Sequence, residues 1–228
     1  MIAIEEATKM AFGKLLGTLI FGLMLIVAVP TRAAQLIDFT NAAFVQTSGP
    51  TSIPHGHAEF CHRISTACAR NARVTPAVTL TNALWKQLLA VNSYFNTTII
   101  PMTDMQLYHV ADFWTYPDAG YGDCEDYQLA KQRELIRDGW PPSDLLMTVV
   151  LDQSGQGHAV LMVRTDRGDF VLDNEDTLIR LWSETPYLFL KRQSQAEPTQ
   201  WVGLIDTHQT TIIANRDTAS KPVGSAGE

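Results

Sequence analysis

A cysteine surrounded by acids is the residue of this chain best suited to chemistry. Cys124 lies in the segment Gly122-Asp123-Cys124-Glu125-Asp126-Tyr127, and His158 and Asp173 follow it in the sequence. A thiolate attacks carbonyl carbons, an imidazole removes the thiol proton, and a carboxylate orients the imidazole. We therefore predict that Cys124, His158 and Asp173 form a catalytic triad. The alternative is a structural histidine at a strand edge and an aspartate that forms a turn.

The residues from Asp123 onwards have the pattern of a helix. Acids occupy its first turn and Lys131, Arg133 and Arg137 lie towards its end, a charge order that complements the helix dipole. Gly139 suits the position after the last turn, and two prolines then prevent continuation. The first turn of such a helix directs backbone N–H groups at the Cys124 sulfur. These groups favour a thiolate and are suited to forming an oxyanion hole.

Three strands are predicted after this helix, and their register places the other two members of the triad. The strands are residues 145–151, 158–164 and 169–173. A tight turn at 165–168 pairs residues whose numbers sum to about 333, so Val160 faces Asp173. His158 is then diagonal to Asp173 on the same face, within reach of a hydrogen bond. A slip of one residue would move Asp173 to the opposite face.

The acids beside Cys124 oppose its ionisation, because nearby negative charges raise the pKa of a thiol. A bound cation would cancel that effect, and clustered carboxylates are the ligands that Ca²⁺ prefers. We therefore hypothesise a calcium ion held by Asp123, Glu125 and Asp126. The alternative is that these acids only stabilise the start of the helix.

The first 33 residues have the pattern of a cleavable signal peptide. Lys9 and Lys14 precede an apolar run at 15–29, and Thr31 and Ala33 are small residues suited to a cleavage site. An uncleaved anchor is the alternative, but the run is shorter than the roughly 20 residues that span a bilayer. The pattern therefore predicts export to the periplasm.

Composition and charge limit the rest of the chain. With 228 residues, 46% of them hydrophobic, it can fill one core. The formal net charge of −7 argues against nucleic acid or an anionic membrane as a partner. Thr81 is predicted to cap a helix before the site. The expected order is a signal peptide at 1–33, an irregular lead-in at 34–57, one domain at 58–206 and a polar, partly disordered tail at 207–228.

Two further groups of residues leave alternatives open. Cys61 and Cys68 are seven residues apart, and two full helical turns would hold them about 10 Å apart, too far for a disulfide. A bridge therefore requires a break between them, and a pair of buried thiols is the alternative. His55 and His57 are either metal ligands or two loop residues. The absence of a suitably spaced acid or cysteine favours the loop.

At these residues the chain resembles the bacterial transglutaminase-like cysteine proteinases, the LapG-type periplasmic proteases. The resemblance covers roughly residues 58–204. The matching segments are Phe60-Cys61 with Cys68, Val91-Asn92 with Asn96, Asp112-Phe113-Trp114-Thr115-Tyr116-Pro117, Gly122-Asp123-Cys124-Glu125-Asp126-Tyr127 with Lys131, Gly157-His158-Ala159-Val160-Leu161, and Val171-Leu172-Asp173-Asn174.

The resemblance implies an α+β, papain-like and transglutaminase-like fold with a helical N-terminal lobe packed on an antiparallel sheet. It implies a Cys124–His158–Asp173 triad and calcium dependence through the acids that flank the cysteine. It also implies cleavage near the N-terminus of a large RTX-type surface adhesin, which releases the adhesin and disperses biofilm. The implied regulator is the periplasmic domain of an inner-membrane receptor for cyclic di-GMP, which sequesters the protease.

Two other functions are compatible with the same residues. One is acyl transfer by the same triad, as in a transglutaminase or amidase, which an amine-incorporation assay distinguishes from hydrolysis. The other is a calcium-responsive binding module without catalysis, for which an unreactive Cys124 would be the sign.

Overall fold

The computed structural model describes residues 43–71 and 73–206. The predicted signal peptide at 1–33 and the predicted tail at 207–228 lie outside these residues. Within the described ranges, no helix combines the length and the apolar character needed to cross a membrane.

The described residues combine helices with an antiparallel sheet, which confirms the α+β prediction. The α-helices within them are α1 (His55–Arg63), α2 (Asn82–Thr98), α3 (Asp104–Tyr108) and α4 (Cys124–Arg137). The strands are β1 (Gln46–Thr51), β2 (Ile100–Pro101), β3 (Tyr121–Gly122), β4 (Leu145–Leu151), β5 (Gly157–Thr165), β6 (Gly168–Leu172), β7 (Arg180–Leu181), β8 (Leu188–Gln193) and β9 (Trp201–Ile205). Seven strands form one antiparallel sheet in the order β1-β9-β8-β4-β5-β6-β7, while β2 and β3 form a small parallel pair.

The two helices that pack against each other beside the sheet begin as the sequence predicts. The hydroxyl of Thr81 accepts a hydrogen bond from the N–H of Leu84 at 3.3 Å and caps α2. α4 begins at Cys124 with Asp123 as its N-cap. Its end is followed by Gly139 in a left-handed conformation, with φ of 95°, which glycine adopts without a steric penalty. The predicted start of α2 and the predicted start and end of α4 are therefore confirmed.

The predicted hairpin at the centre of the sheet is confirmed together with its register. β4 has the predicted bounds, and β5 and β6 differ from the prediction by one residue at each end. Leu161 pairs with Leu172 and Thr165 pairs with Gly168, which leaves Asp166 and Arg167 as the two-residue turn. The paired numbers sum to 333 along the whole hairpin, so the face assignment of the sequence analysis holds.

The sheet is covered by apolar side chains on both faces. Leu145, Met147 and Leu161 pack with Leu88 of α2 and Leu129 of α4 on one face. On the other face a second group is buried: Leu146, Val150, Val160, Met162, Val171, Trp182, Tyr187 and Phe189. Because both faces of β4 are covered, its sequence is a continuous apolar run and not an alternating one.

The prediction of an irregular lead-in through residue 57 is wrong in two places. Residues 46–51 form β1, which pairs with β9 at the edge of the sheet. Its sequence, Gln-Thr-Ser-Gly-Pro-Thr, is polar and largely exposed, so no apolar periodicity marked it as a strand. His55 and His57 lie in the first turn of α1 and not in a loop. His57 is buried beside Trp114 and Trp201.

The open question about Cys61 and Cys68 is answered by a disulfide between them. α1 ends at Arg63 and a short 3₁₀ helix, Ser65–Cys68, follows, so the chain breaks between the two cysteines. Their Cα atoms are 5.4 Å apart, within the range of a disulfide. His57 lies against both sulfurs, and burial lowers its pKa to about 4. This histidine is therefore a neutral core residue.

Candidate active site

Cys124 occupies the position that the sequence analysis predicted, at the first residue of α4. β3 ends at Gly122, two residues earlier, and Asp123 makes the transition into the helix. Gly122 is required by close packing, because a Cβ there would lie 2.7 Å from the Cβ of Asp126. Cys124 is half-buried and is the free cysteine left by the disulfide.

His158 and Asp173 are joined by a hydrogen bond, as their shared face of the hairpin predicted. Nε2 of His158 lies 2.8 Å from Oδ1 of Asp173, and both side chains are buried. Burial alone would raise the pKa of Asp173, but the hydrogen bond and charge of His158, followed by the Tyr187 hydroxyl, hold that pKa below its usual value. Asp173 is therefore an acceptor, Nε2 is the donor, and Nδ1 is left as the basic nitrogen.

Asp173 has further partners that hold it in place. The Tyr187 hydroxyl donates to Oδ2, and the N–H of Glu175 donates to Oδ1 at 3.0 Å. The side-chain amide of Asn96, on α2, donates to the backbone carbonyl of Asp173 at 2.7 Å. The aspartate is thus fixed by its carboxylate and by its backbone.

The surroundings of the Cys124 sulfur favour a neutral thiol. Burial raises the pKa of Cys124 well above its usual value, and the charge of Glu125 raises it further. The thiol donates to Oε2 of Glu125 at 3.2 Å, which adds to the rise, while the N–H of Ala159 offsets part of it. The neighbouring acids therefore oppose ionisation of the Cys124 thiol, as the sequence predicted.

The acids around Cys124 belong to a larger group, which we call the acidic cluster: Asp104, Asp112, Asp123, Glu125 and Asp126. Carboxylate oxygens of Asp104, Asp112 and Glu125 lie within 4.8 Å of one another, and so do oxygens of Asp104, Asp123 and Asp126. The predicted ligands Asp123, Glu125 and Asp126 are thus divided between two trios that share Asp104. Such groups of oxygens are suited to a hard cation.

Several oxygens of the acidic cluster have no hydrogen-bond partner among the described residues. They are Oδ1 of Asp104, Oδ1 of Asp123 and Oδ2 of Asp126, all buried. Burial raises the pKa of Glu125 to about 9, with the charge of Asp123 as the next cause, and burial raises the pKa of Asp126 to about 8. Buried acceptors without donors, next to like charges, are costly unless a cation or protons compensate. These carboxylate oxygens therefore fit the ligands that Ca²⁺ prefers.

Four of the residues described here were not assigned to the site from the sequence. Asp104 lies 19 residues before Asp123 and reaches it through the contact of its N–H with Oδ2 of Asp123, at 3.1 Å. Asp112 accepts a hydrogen bond from the N–H of Gly56 in α1, and Tyr187 and Asn96 reach Asp173 from distant segments. Only the resemblance, which includes Asp112 and Asn96, singled out two of these positions. No local pattern marks the other two.

Comparison with known proteins finds solved structures and a family model that are similar to the chain. The solved structures that resemble it include three of Legionella pneumophila LapG. The EGTA-treated form is 24% identical and covers 55% of this chain and 73% of its own, with a TM-score of 0.45. A second LapG structure is 25% identical and covers 59% of this chain and 76% of its own, with a TM-score of 0.45. The calcium-bound form is 19% identical and covers 70% of this chain and 98% of its own, with a TM-score of 0.46.

No curated protein matches the chain. The family model described as "Bacterial transglutaminase-like cysteine proteinase BTLCP" matches residues 47–209. This range includes the free cysteine, the histidine–aspartate pair and the acidic cluster. The chain therefore belongs to the bacterial transglutaminase-like cysteine proteinases, a family of cysteine proteases.

Proposed function

We propose that this protein is a calcium-dependent periplasmic cysteine endopeptidase with Cys124 as nucleophile, His158 as general base and Asp173 as its orienting carboxylate. The observation that carries this proposal is the 2.8 Å hydrogen bond between Nε2 of His158 and Oδ1 of Asp173. It occurs in a chain of a cysteine-proteinase family whose free cysteine, Cys124, is the first residue of α4.

The chemistry follows from the roles of the two imidazole nitrogens. Nδ1 of His158 accepts the proton of the Cys124 thiol, and the sulfur attacks the carbonyl carbon of the scissile bond. The N–H groups of the first turn of α4 have no acceptor within the helix and can stabilise the oxyanion. Nδ1 then gives its proton to the leaving amine, so that a thioester forms on Cys124 as the C–N bond breaks. Water then gives a proton to Nδ1 as its oxygen attacks the thioester carbonyl carbon. The C–S bond breaks, the carboxylic acid leaves, and Nδ1 returns the proton to the sulfur, which restores the thiol.

We further propose that the acidic cluster binds calcium. The support is the number of carboxylates within 4.8 Å of Asp104 and the buried oxygens of Asp104, Asp123 and Asp126 that lack donors among the described residues. Bound calcium would supply the positive charge that offsets the acids next to Cys124 and so favours its thiolate. Glu125 links the two sites, because it belongs to the cluster and accepts the thiol hydrogen bond.

The substrate that we propose is the N-terminal region of a large RTX-type surface adhesin, whose cleavage releases the adhesin and disperses biofilm. The proposed regulator is the periplasmic domain of an inner-membrane cyclic di-GMP receptor that sequesters the protease. Both come from the resemblance described above, and membership of a protease family supports a protein substrate. Periplasmic location comes from the signal-peptide pattern at 1–33.

The test is cleavage of a purified N-terminal adhesin fragment in the presence of calcium. We expect a new amine terminus by mass spectrometry, no cleavage with EGTA, recovery when calcium is restored, and no cleavage by Cys124→Ala. Addition of a fluorescent primary amine separates the rival function, because acyl transfer would attach the amine to the fragment. An intact fragment that has incorporated the amine would show that the protein is a transferase and not an endopeptidase.

Location and regulation are tested separately. Cell fractionation should recover the processed protein with periplasmic markers, and its N-terminus should follow residue 33. The isolated periplasmic domain of the receptor should stop cleavage at a one-to-one ratio. Recovery with the membrane fraction, or undiminished cleavage with excess receptor domain, would remove the corresponding part of the proposal.

A further inference from the structure

Tyr187 is the side chain that completes the surroundings of Asp173. It lies between a short 3₁₀ helix, Trp182–Glu184, and β8, and only 6% of it is exposed. Its hydroxyl donates to Oδ2 of Asp173. Its ring lies 5.4 Å from the ring of His158, inclined at 52°. The tyrosine thus contacts both members of the histidine–aspartate pair.

The two oxygens of Asp173 have different partners. Oδ1 accepts from Nε2 of His158 at 2.8 Å and from the N–H of Glu175 at 3.0 Å. Oδ2 accepts from Tyr187. A carboxylate held at one oxygen can rotate about its last torsion, whereas donors on both oxygens fix its plane. The plane of the carboxylate in turn sets the direction of the Nε2–H bond, and therefore the direction of Nδ1.

Tyr187 is also a permanent donor in this position. Burial raises its pKa far above the usual value for tyrosine, and the hydrogen bond and charge of Asp173 raise it further. The phenol therefore stays protonated over the pH range in which a cysteine protease works. The same hydrogen bond helps to lower the pKa of its acceptor, Asp173.

Asn96 holds Asp173 from a second direction. Its amide donates to the backbone carbonyl of Asp173 at 2.7 Å from α2, whereas Tyr187 belongs to the apolar group on the opposite face of the sheet. Asp173 follows the last residue of β6, where the sheet no longer fixes the backbone. Contacts from other elements are therefore what fix its position.

We propose that Tyr187 is a positioning residue of the active site, which fixes the Asp173 carboxylate so that His158 presents Nδ1 to Cys124. This inference rests on the proposed function, since it concerns the same three residues. The role of Tyr187 in this scheme is to hold Asp173 and not to react with the substrate. Its effect on catalysis is transmitted by Asp173.

The test is Tyr187→Phe, which keeps the ring and removes the hydroxyl. We expect kcat to fall by roughly tenfold or more, the effect of losing a hydrogen bond to a charged group, with KM within about twofold of the wild-type value. The acid limb of the pH profile of kcat/KM should move to higher pH, because Asp173 loses a donor that lowers its pKa. An unchanged kcat and an unchanged pH profile would overturn the proposal.

A matched control is Tyr127→Phe. Tyr127 is 2% exposed and its hydroxyl donates to the carbonyl of Ile99 at 2.7 Å, so this change also removes one buried hydrogen bond. We expect a comparable loss of stability in urea without movement of the acid limb. If both variants change kcat and the pH profile equally, Tyr187 has only a structural role and the inference fails.

A measurement that needs no activity separates this inference from the proposed function. In Cys124→Ala protein, the carboxyl carbon of Asp173 can be titrated by NMR with Tyr187 present and with Tyr187→Phe. We expect the Asp173 pKa to be higher in the variant, because the carboxylate loses a hydrogen bond that favours its charged form. An unchanged pKa would overturn the inference even if the protein proves to be a protease. A shifted pKa would support it even if the adhesin fragment is not cleaved.

Discussion

The histidine–aspartate pair and the acidic cluster are two buried groups of ionisable side chains that differ in how far the protein itself satisfies them. Both oxygens of Asp173 accept hydrogen bonds from protein donors, and its pKa is held low. In the acidic cluster, oxygens of Asp104, Asp123 and Asp126 lack donors among the described residues, and the pKa values of neighbouring carboxyls are raised. The acceptor oxygens of Asp173 are therefore satisfied by the protein itself. The negative charge of the acidic cluster requires protons or a cation to compensate it.

This difference separates orientation from activation. Orientation of His158 is provided by fixed hydrogen bonds and needs nothing from outside the chain. The thiol of Cys124, the proposed nucleophile, donates to Glu125, which belongs to the acidic cluster. Under the proposed function, an ion bound by the acidic cluster would favour ionisation of Cys124 without changing the hydrogen bonds that orient His158.

The largest effect is expected from removing His158, the proposed general base. His158→Ala should lower kcat/KM by about 10⁴-fold or more, because residues of a triad act as a unit. Calcium should not restore the activity, since the imidazole that accepts the thiol proton is lost. The assay is cleavage of the adhesin fragment, with the exposed His55→Ala as control. Activity within about tenfold of wild type would show that His158 is not the base.

Removal of calcium should affect stability as well as activity. An ion present at about 100 times its dissociation constant stabilises the folded state by about 2.7 kcal/mol, so EGTA should lower Tm by roughly 5 to 10 °C. Asp104→Asn should reduce this difference, because it removes a ligand from both trios.

Asp118→Asn is the control for Asp104→Asn, because it changes an exposed carboxylate outside the acidic cluster. It should leave the calcium-dependent Tm difference unchanged. Equal melting temperatures of wild-type protein in calcium and in EGTA would contradict calcium binding at these acids.

Gly122→Ala should disturb the acidic cluster while sparing the histidine–aspartate pair. The new Cβ would lie 2.7 Å from the Cβ and Oδ2 of Asp126, so the carboxylate must move. We expect a loss of about 1 to 3 kcal/mol in unfolding free energy and a weaker response to calcium. Gly157→Ala is the matched control, since a Cβ there meets no atom within 4 Å. The experiment is urea unfolding with and without calcium, and equal effects of the two substitutions would contradict this packing.

A further effect is expected for Lys131, a fully buried lysine whose Nζ has no hydrogen bond to the described residues. Burial lowers its pKa to about 7, against the charge of Asp173. An unfolded lysine titrates near pH 10.4, so between about pH 7 and 10 the unfolded chain binds the additional proton. The stability of the wild type should therefore rise with pH through this window as the buried charge is lost.

Lys131→Met should remove the contribution of Lys131 to that rise and should stabilise the protein at pH 7 by roughly 2 kcal/mol. The advantage should shrink towards pH 10. Urea unfolding at pH 6, 7.5 and 9 measures the effect, and Lys86→Met changes an exposed lysine as a control. A variant less stable than wild type at pH 6 would mean that attraction to Asp173 outweighs the cost of burial.

The parts of the fold that could be predicted are those set by local patterns. The apolar run at 145–151, the tight turn after Thr165 and the acids at the start of α4 each specify an element within one residue or so. The turn also specified the register, and with it the hydrogen bond between His158 and Asp173. The catalytic roles of these residues stay predictions.

The remaining parts depend on contacts between distant segments. β1 is held by pairing with β9, 150 or more residues away, so its own sequence is free to be polar. Asp104 and Tyr187 reach their sites because the chain folds back, and no spacing in the sequence indicates it. The break between Cys61 and Cys68 could be stated as a condition for the disulfide, but its occurrence depends on where α1 ends.

The disulfide between Cys61 and Cys68 has a consequence for counting molecules. It leaves one thiol in each chain, at the start of α4. A maleimide or haloacetamide label therefore has a stoichiometric limit of one per molecule while the disulfide is intact. The ratio of label to protein then gives the fraction of a preparation whose thiol can react, so that rates can be expressed per competent molecule.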